Sequence, residues 1–384
     1  MIETIAIENY RSILKLIIPL DRLNVVTGPN GSGKSNLYKA LSLLARAGRG
    51  SVVESLAIDG GLDSAFWAGQ SKPNDKMPIV GEQKPSNNQL RLGFSSDSYS
   101  YSVAFGRPEY EPRSTSMFLL DPGIVRESIW PAGSYRPQNA LVERKNNVIT
   151  LREGRHWKVI SNHISTFDSL FEQVSNIESV PEIYLMKERM RQWRFYDHFR
   201  TDRNAPARQS QLGSRSPVLY HDGRNLAAAI QTILETGDPD ALVQAIDHAF
   251  PGAYLTIRRS DEGIFSLEFH QKGLLRPLSV AELSDGTLRY ILWVAALLTP
   301  RPPELMVLNE PETSLHPDLI PSLARLILYA AERSQVWVVS HSDILTQWLE
   351  DHGQCNSIRL EKYLGQTQIT SLERFDIPVW HWPS

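Results

Sequence analysis

Residues 28–35 read Gly-Pro-Asn-Gly-Ser-Gly-Lys-Ser, with glycine at the first, fourth and sixth positions and a Lys-Ser pair at the end. That is a full match to the phosphate-loop pattern. Glycines let backbone N–H groups converge on phosphate oxygens, and the N-terminus of a following helix adds a positive dipole end. A lysine in this place reaches the β- and γ-phosphates of a nucleotide, and the serine hydroxyl after it suits Mg²⁺. The candidate nucleotide contacts are therefore Gly28, Pro29, Asn30, Gly31, Ser32, Gly33, Lys34, Ser35 and Asn36, with Ser35 also a candidate metal ligand.

A second set of chemistry-bearing residues lies far downstream. Residues 283–289 read Leu-Ser-Asp-Gly-Thr-Leu-Arg, residues 305–317 read Leu-Met-Val-Leu-Asn-Glu-Pro-Glu-Thr-Ser-Leu-His-Pro, and residues 340–342 read Ser-His-Ser. Each piece alone is weak, because serine–glycine turns commonly cap helices. Their order carries the information. A polar turn opens an apolar helix, an apolar strand then ends in acid, and Ser-His closes the next strand.

The elements that must position these residues follow from periodicity. Leu23–Thr27 reads as a short buried strand running into the glycine loop. Behind the loop, Leu37, Ala40, Leu41 and Leu44 recur at helical spacing. Residues 225–234 and 240–250 read as helices, 254–258 and 264–270 as paired strands, and 288–298 as a helix buried all round. Short strands at 305–308 and 336–339 flank a helix carrying Leu323, Leu326, Ile327 and Ala330. Such alternation predicts an α/β fold with a mainly parallel sheet. Residues 70–89 read as a surface loop, and 90–94 with 99–105 as a half-solvated antiparallel hairpin. From 107 to 216 the pattern is mixed, with one helical stretch near 183–191 and no heptad repeat. The expected divisions are an N-terminal lobe over 1–106, an inserted subdomain over 107–216 and a C-terminal lobe over 217–384.

Composition excludes several classes. The 384 residues carry 40 Lys and Arg against 43 Asp and Glu, a formal charge of -3, so bulk charge does not draw this chain to nucleic acid. One cysteine, Cys355, excludes an intramolecular disulfide framework and any zinc site built on several thiolates. Glu3, Glu8, Arg11 and Lys15 interrupt the first twenty residues, and the longest uncharged apolar run, 290–300, falls short of the roughly 20 residues that span a bilayer. A cytoplasmic protein that does not enter a membrane is expected.

The ordered set of motifs resembles the ABC-type ATPase head. Within that superfamily the chain resembles the RecF/SMC-related ATPases that are also grouped as AAA-type. Glu8-Asn9-Tyr10-Arg11-Ser12 is similar to their N-terminal motif, Leu-Ser-Asp-Gly-Thr to their signature, and Glu-Pro-Glu-Thr-Ser-Leu-His-Pro to their Walker B and D-loop region. The segment 222–226, Asp-Gly-Arg-Asn-Leu, has the look of the same group. The resemblance implies a P-loop NTPase fold with a helical signature lobe and an antiparallel β part. It implies ATP and Mg²⁺ as ligands and ATP hydrolysis as the activity. Glu310 matches the glutamate that orients or deprotonates the attacking water, and His341 the switch histidine that senses the γ-phosphate. Ser284 and Gly286 match the signature that contacts the nucleotide of a second protomer, which implies an ATP-dependent homodimer sandwiching two nucleotides. Gln70 is the candidate glutamine that links Mg²⁺ to the lobes, or else a plain loop amide. Arg11 lies near the nucleotide in this reading, or is an ordinary surface arginine. His316 is expected to be structural or to lie at the dimer seam.

The chain departs from the pattern at one place. Asn309 stands where the superfamily usually has an acid that supports Mg²⁺. An amide oxygen can ligate directly or through water, but it brings no charge. Glu312 is a candidate to compensate, or else a D-loop residue. Slow hydrolysis follows, with an ATP-binding sensor of little turnover as an alternative.

Two classes of partner stay open. Residues 187–215 carry Lys187, Arg189, Arg191, Arg194, Arg200, Arg203, Arg208 and Arg215 against Glu188, Asp197 and Asp202, with Trp193, Phe195, Tyr196 and Phe199 interleaved. Arginine with aromatics suits a DNA surface in an ATP-gated clamp of the genome-maintenance kind, or else a strand with its aromatics in the core. The second class is an effector protein held and released by a regulatory ATPase in a defence-type system. The end of the chain, Val379-Trp380-His381-Trp382, is then a docking tail or a piece of core.

Overall fold

The computed structural model describes residues 1–69, 89–107, 117, 121–173, 181–373 and 375–383. By its internal contacts the chain divides into two compact units. One holds residues 1–21, 28–193 and 358–384, and the other holds residues 22–27 and 194–357.

The first unit is built on an eight-stranded antiparallel sheet. Its order is Ile13–Pro19, Ile2–Tyr10, Leu90–Ser96, Tyr99–Gly106, Gly123–Pro131, Val142–Lys145, Val148–Glu153 and His156–Ser161. The expected hairpin at 90–105 therefore sits inside a sheet. Both of its strands are buried along almost their whole length rather than half-solvated, because neighbours pair on either side of them. Helix Lys34–Ala47 buries Leu37, Ala40, Leu41 and Leu44, the residues whose spacing predicted it. A hairpin of Asn356–Tyr363 and Gln366–Ile369 turns on Leu364 and Gly365, both at positive φ as a two-residue turn of this hand requires.

The sheet has a charged pin at its centre. Arg144 and Glu127 are both 0% exposed and pair at 2.9 Å. Glu127 also accepts from the Tyr101 hydroxyl at 2.7 Å, the Ser169 hydroxyl at 2.6 Å and the Leu170 N–H at 2.9 Å. Arg144 donates to the carbonyls of Asn146, Ser165 and Asp168. A buried pair so fully satisfied locks the strands Gly123–Pro131 and Val142–Lys145 to the chain at 165–170. Trp380 belongs to the core of this unit, edge-on to Trp130 at 5.7 Å.

The second unit carries a parallel sheet. Strand Arg194–Tyr196 pairs with Leu305–Asn309, that strand with Gln335–Val339, and that one with Leu23–Thr27. Their near-continuous apolar runs fit strands covered on both faces. Helix Asp285–Leu297 is buried along ten successive residues from Leu288, and Ile320–Ala331 packs beside it. A smaller antiparallel sheet of Gln211–Leu212, Ile264–His270 and Tyr254–Arg259 stands apart from the parallel one.

The expected lobe boundaries do not coincide with these units. Strand pairing carries the N-terminal sheet across residue 107 as far as 161, while residues from 194 onward join the parallel sheet. The expected surface loop lies almost wholly within residues 70–88, and Gln70 with it, outside the described residues.

Candidate nucleotide site

In the first unit the phosphate loop is a tight cradle. Gly28, Gly31 and Gly33 all have positive φ, at 145°, 79° and 110°. A Cβ on Gly28 would stand 2.2 Å from the Leu360 carbonyl oxygen, and one on Gly33 2.1 Å from Thr367 Oγ1. Backbone conformation and space both demand glycine at these two places. The loop's props come from far along the chain. Thr367 donates through Oγ1 to the Ser32 carbonyl at 2.8 Å, and its N–H donates to the Ser12 carbonyl at 2.8 Å. Ser12 Oγ lies 2.7 Å from Thr367 Oγ1 and accepts from Asn36 Nδ2 at 2.8 Å.

Lys34 is 4% exposed and donates from Nζ to the carbonyls of Gly28 at 2.5 Å and Pro29 at 3.0 Å. Ser32 Oγ is buried with no hydrogen-bond partner. An ammonium parked on loop carbonyls beside an orphaned hydroxyl fits a group that brings its own acceptor oxygens, as a phosphate does. The Ser35 side chain stands exposed on the first helical turn.

Two expected contacts are used otherwise. Asn36 spends its amide on Ser12, so it braces the loop. Arg11 pairs with Asp59 at 2.9 Å and lies over the Tyr10 ring. In the motif Glu8-Asn9-Tyr10-Arg11-Ser12 it is Ser12 that touches the phosphate loop.

In the second unit the strand ends are level. Val26 faces Val339, and Val339 faces Asn309. The carboxyl ends of parallel strands are where open α/β sheets bind ligands. Just past these ends, Glu310 Oε1 lies 3.1 Å from His341 Nε2, and both side chains are partly exposed. Glu310 holds an unusual backbone, φ 47°, with its N–H on the Val339 carbonyl at 2.8 Å. A strained residue aimed off a strand end, touching a histidine, can pass or orient a proton between water and imidazole.

Glu312 spends one of its two oxygens on the neighbouring loop. Its Oε1 accepts from Ser340 Oγ at 2.7 Å, the His341 N–H at 2.8 Å and the Ser342 N–H at 3.1 Å. It holds the histidine loop through that one oxygen, while its Oε2 is buried with no hydrogen-bond partner. Asn309 instead donates from Nδ2 to Asp197 Oδ1 at 2.5 Å. No three His, Cys, Asp or Glu side chains converge on a common point among the described residues.

Ser284 caps helix Asp285–Leu297, its hydroxyl accepting from the Thr287 N–H at 3.1 Å, and Gly286 lies beside the Ser314 carbonyl. Two arginines outside the expected set brace this turn. Arg208 pairs with Asp285 at 2.8 Å and donates to the carbonyls of Val280 at 2.7 Å and Leu283 at 3.0 Å. Arg289, 5% exposed, donates to the carbonyls of Thr313 at 2.7 Å and Phe199 at 3.1 Å. Burial pulls its pKa below the usual arginine value. A single cation inside an otherwise apolar helix is the signal that could have found it. His316 caps the short turn Pro317–Leu319, its Nδ1 accepting from the Asp318 N–H.

The basic stretch at 187–215 has most of its equipment committed. Trp193, Tyr196 and Phe199 are buried. Within the first unit Arg189 pairs with Asp97, Arg191 with Glu188, and Lys187 donates to the Phe171 carbonyl. In the second unit Arg200 grips Asp202 with two bonds of 2.9 Å, and Arg215 pairs with Glu235. Rings packed in a core offer no face to a base.

Comparison with known proteins adds a family and a fold. A family model described as "AAA domain, putative AbiEii toxin, Type IV TA system" matches residues 23–346. Structural maintenance of chromosomes protein 1 of Schizosaccharomyces pombe (strain 972 / ATCC 24843) is 24% identical over 175 residues, which is 44% of this chain and 13% of that protein. The chain thus spans only a small part of that curated relative. Among solved structures, the SmcHead bound to the C-winged helix domain of ScpA matches over 96% of this chain and 97% of that one, with a TM-score of 0.54 at 12% identity. At that identity the likeness is one of fold: a P-loop NTPase head of the SMC kind. No helix among the described residues is long and apolar enough to cross a membrane.

Proposed function

The chain belongs to the family described as AAA domain, putative AbiEii toxin, Type IV TA system, and from that premise we propose that it binds and hydrolyses Mg-ATP. Families of this kind are generally ATPases. The observation that carries the reading is the Glu310–His341 pair at 3.1 Å, off a strand end level with the strand that feeds the phosphate loop.

In this reading the loop N–H groups and Lys34 bind the phosphates, with Lys34 leaving the carbonyls of Gly28 and Pro29 to do so. Mg²⁺ neutralises phosphate charge when bound. Ser35 and Asn309 are its ligand candidates. Glu310 orients the attacking water, and His341 reports the γ-phosphate. Ser284 and Gly286 act across a homodimer that closes over two nucleotides.

The test is size exclusion and ATP turnover of three forms. Glu310→Gln lowers turnover by about 100-fold or more and accumulates as an ATP-dependent dimer. Lys34→Ala loses nucleotide binding. Parent-like turnover in both variants overturns the reading.

For the output of the cycle, the burial of Trp193, Tyr196 and Phe199 favours an effector protein over DNA. A defence-type regulatory ATPase that holds and releases a protein partner is then the better reading. The Glu310→Gln dimer should retain such a partner during purification with nuclease present. Retention of DNA alone would return the genome-maintenance reading.

A further inference from the structure

Asn309 occupies the position at which an acid would support the nucleotide's metal, and it lacks the charge to do so. The neighbouring strand bears on this. Strand Arg194–Tyr196 runs parallel to Leu305–Asn309, with Tyr196 facing Leu308. The next residue on each strand is then level, which sets Asp197 beside Asn309 at the same sheet edge. The contact is direct, Asn309 Nδ2 to Asp197 Oδ1 at 2.5 Å.

That bond decides how the amide is oriented. A carboxylate oxygen only accepts, so Asn309 must present its NH₂ to Asp197. Its own Oδ1 is thereby turned the other way, with its lone pairs available. Asp197 keeps its second oxygen, and its side chain is exposed at the edge. The pair offers two hard oxygens and one negative charge. Mg²⁺ sites typically use one or two carboxylates, waters and the substrate's phosphates, so the donor set fits.

We infer that Asp197 supplies the metal-supporting carboxylate of this ATPase, moved from the acid strand to the strand beside it, with Asn309 as the oriented amide between. The inference rests on the Mg-ATP reading above. Asp197 acts either as a direct ligand or on a metal-bound water, and both place its charge at the same edge. Glu312 is placed differently: the Ser340–Ser342 backbone and hydroxyl hold its Oε1 and its Oε2 is buried, whereas the Asp197 side chain is exposed. Arg200 has Asp202 as its own partner, which leaves Asp197 free of that neutralising contact.

The test measures binding of a fluorescent ATP analogue to the full chain across a Mg²⁺ titration and in EDTA. Asp197→Asn preserves an acceptor for Asn309 and removes only the charge. It is expected to raise the Mg²⁺ needed for half-maximal binding about tenfold or more, with EDTA binding unchanged. Moving the charge back, in the double variant Asp197→Asn with Asn309→Asp, is expected to restore the Mg²⁺ requirement of the parent. An unchanged Mg²⁺ requirement in Asp197→Asn overturns the inference. So does an equal loss of binding in EDTA, or a double variant no better than the single one. A parent that binds no nucleotide under either condition instead overturns the Mg-ATP reading itself.

Discussion

Glu312 shows how closely placed acids divide their labour. Three donors, Ser340 Oγ and the N–H groups of His341 and Ser342, converge on its single Oε1, while its Oε2 is buried without a partner. Bonds to an ionised acceptor are the stronger kind, so the histidine loop depends on this side chain for its shape. Glu312→Ala is expected to lower kcat about tenfold to hundredfold and leave KM nearly unchanged, with Glu312→Gln recovering most of the loss. Steady-state kinetics of the two variants decide it. An unchanged kcat in Glu312→Ala would mean the loop does not need this side chain, and a Gln variant as poor as Ala would mean that an acceptor oxygen without the charge does not hold it. At this scale the sequence is eloquent where residues are contiguous. The phosphate loop, Glu310 and His341 are read from local order. Asp197, Ser12 and Thr367 are not, because their roles depend on strand register and on partners hundreds of residues away.

Among the elements, helix Asp285–Leu297 shows what periodicity reveals and what it hides. Its apolar run announces burial, yet nothing in the run says what Arg289 is for. The side chain ties the helix to the Thr313 and Phe199 carbonyls, the first in the acid loop and the second past the edge strand Arg194–Tyr196. Arg208 ties the same helix start to the turn before it. Arg208, read from the sequence as part of a basic surface, is a fastener of the turn that opens this helix. Arg289→Met keeps the volume and strands the buried Phe199 carbonyl and the part-buried Thr313 one, at a cost of about 2–4 kcal/mol. Urea denaturation reads this directly, and an unshifted midpoint would show that the carbonyls find other donors. The three-residue edge strand was illegible because its partner in the sheet lies over a hundred residues downstream, and short strands carry little pattern of their own.

On the scale of the molecule, the chain's near-neutral charge and the pairing of most of its internal basic stretch agree. Trp380 takes its place in a core, so the reading of the chain's end as a docking tail gives way to packing. The larger surprise is the eight-stranded antiparallel sheet, whose later half lies in the stretch that periodicity could not resolve. Such pairing is long-range, and its strands are bent by register shifts at Ala104–Phe105 and Ile149–Thr150 that break simple alternation. Its stability should hinge on the buried pin. Arg144→Ala leaves Glu127 charged and uncompensated, an expected loss of about 3–5 kcal/mol. A denaturation midpoint close to the parent's would contradict it.

The prop on the phosphate loop has a consequence in time. Gly28 to Ser35 are made well before Leu360 and Thr367, which wall and brace them. A nascent chain carries the whole glycine motif through the synthesis of every residue between them without the support that shapes it. The cradle is therefore complete only once the hairpin Asn356–Tyr363 and Gln366–Ile369 has formed, and a chain cut before Thr367 keeps the motif and lacks its brace.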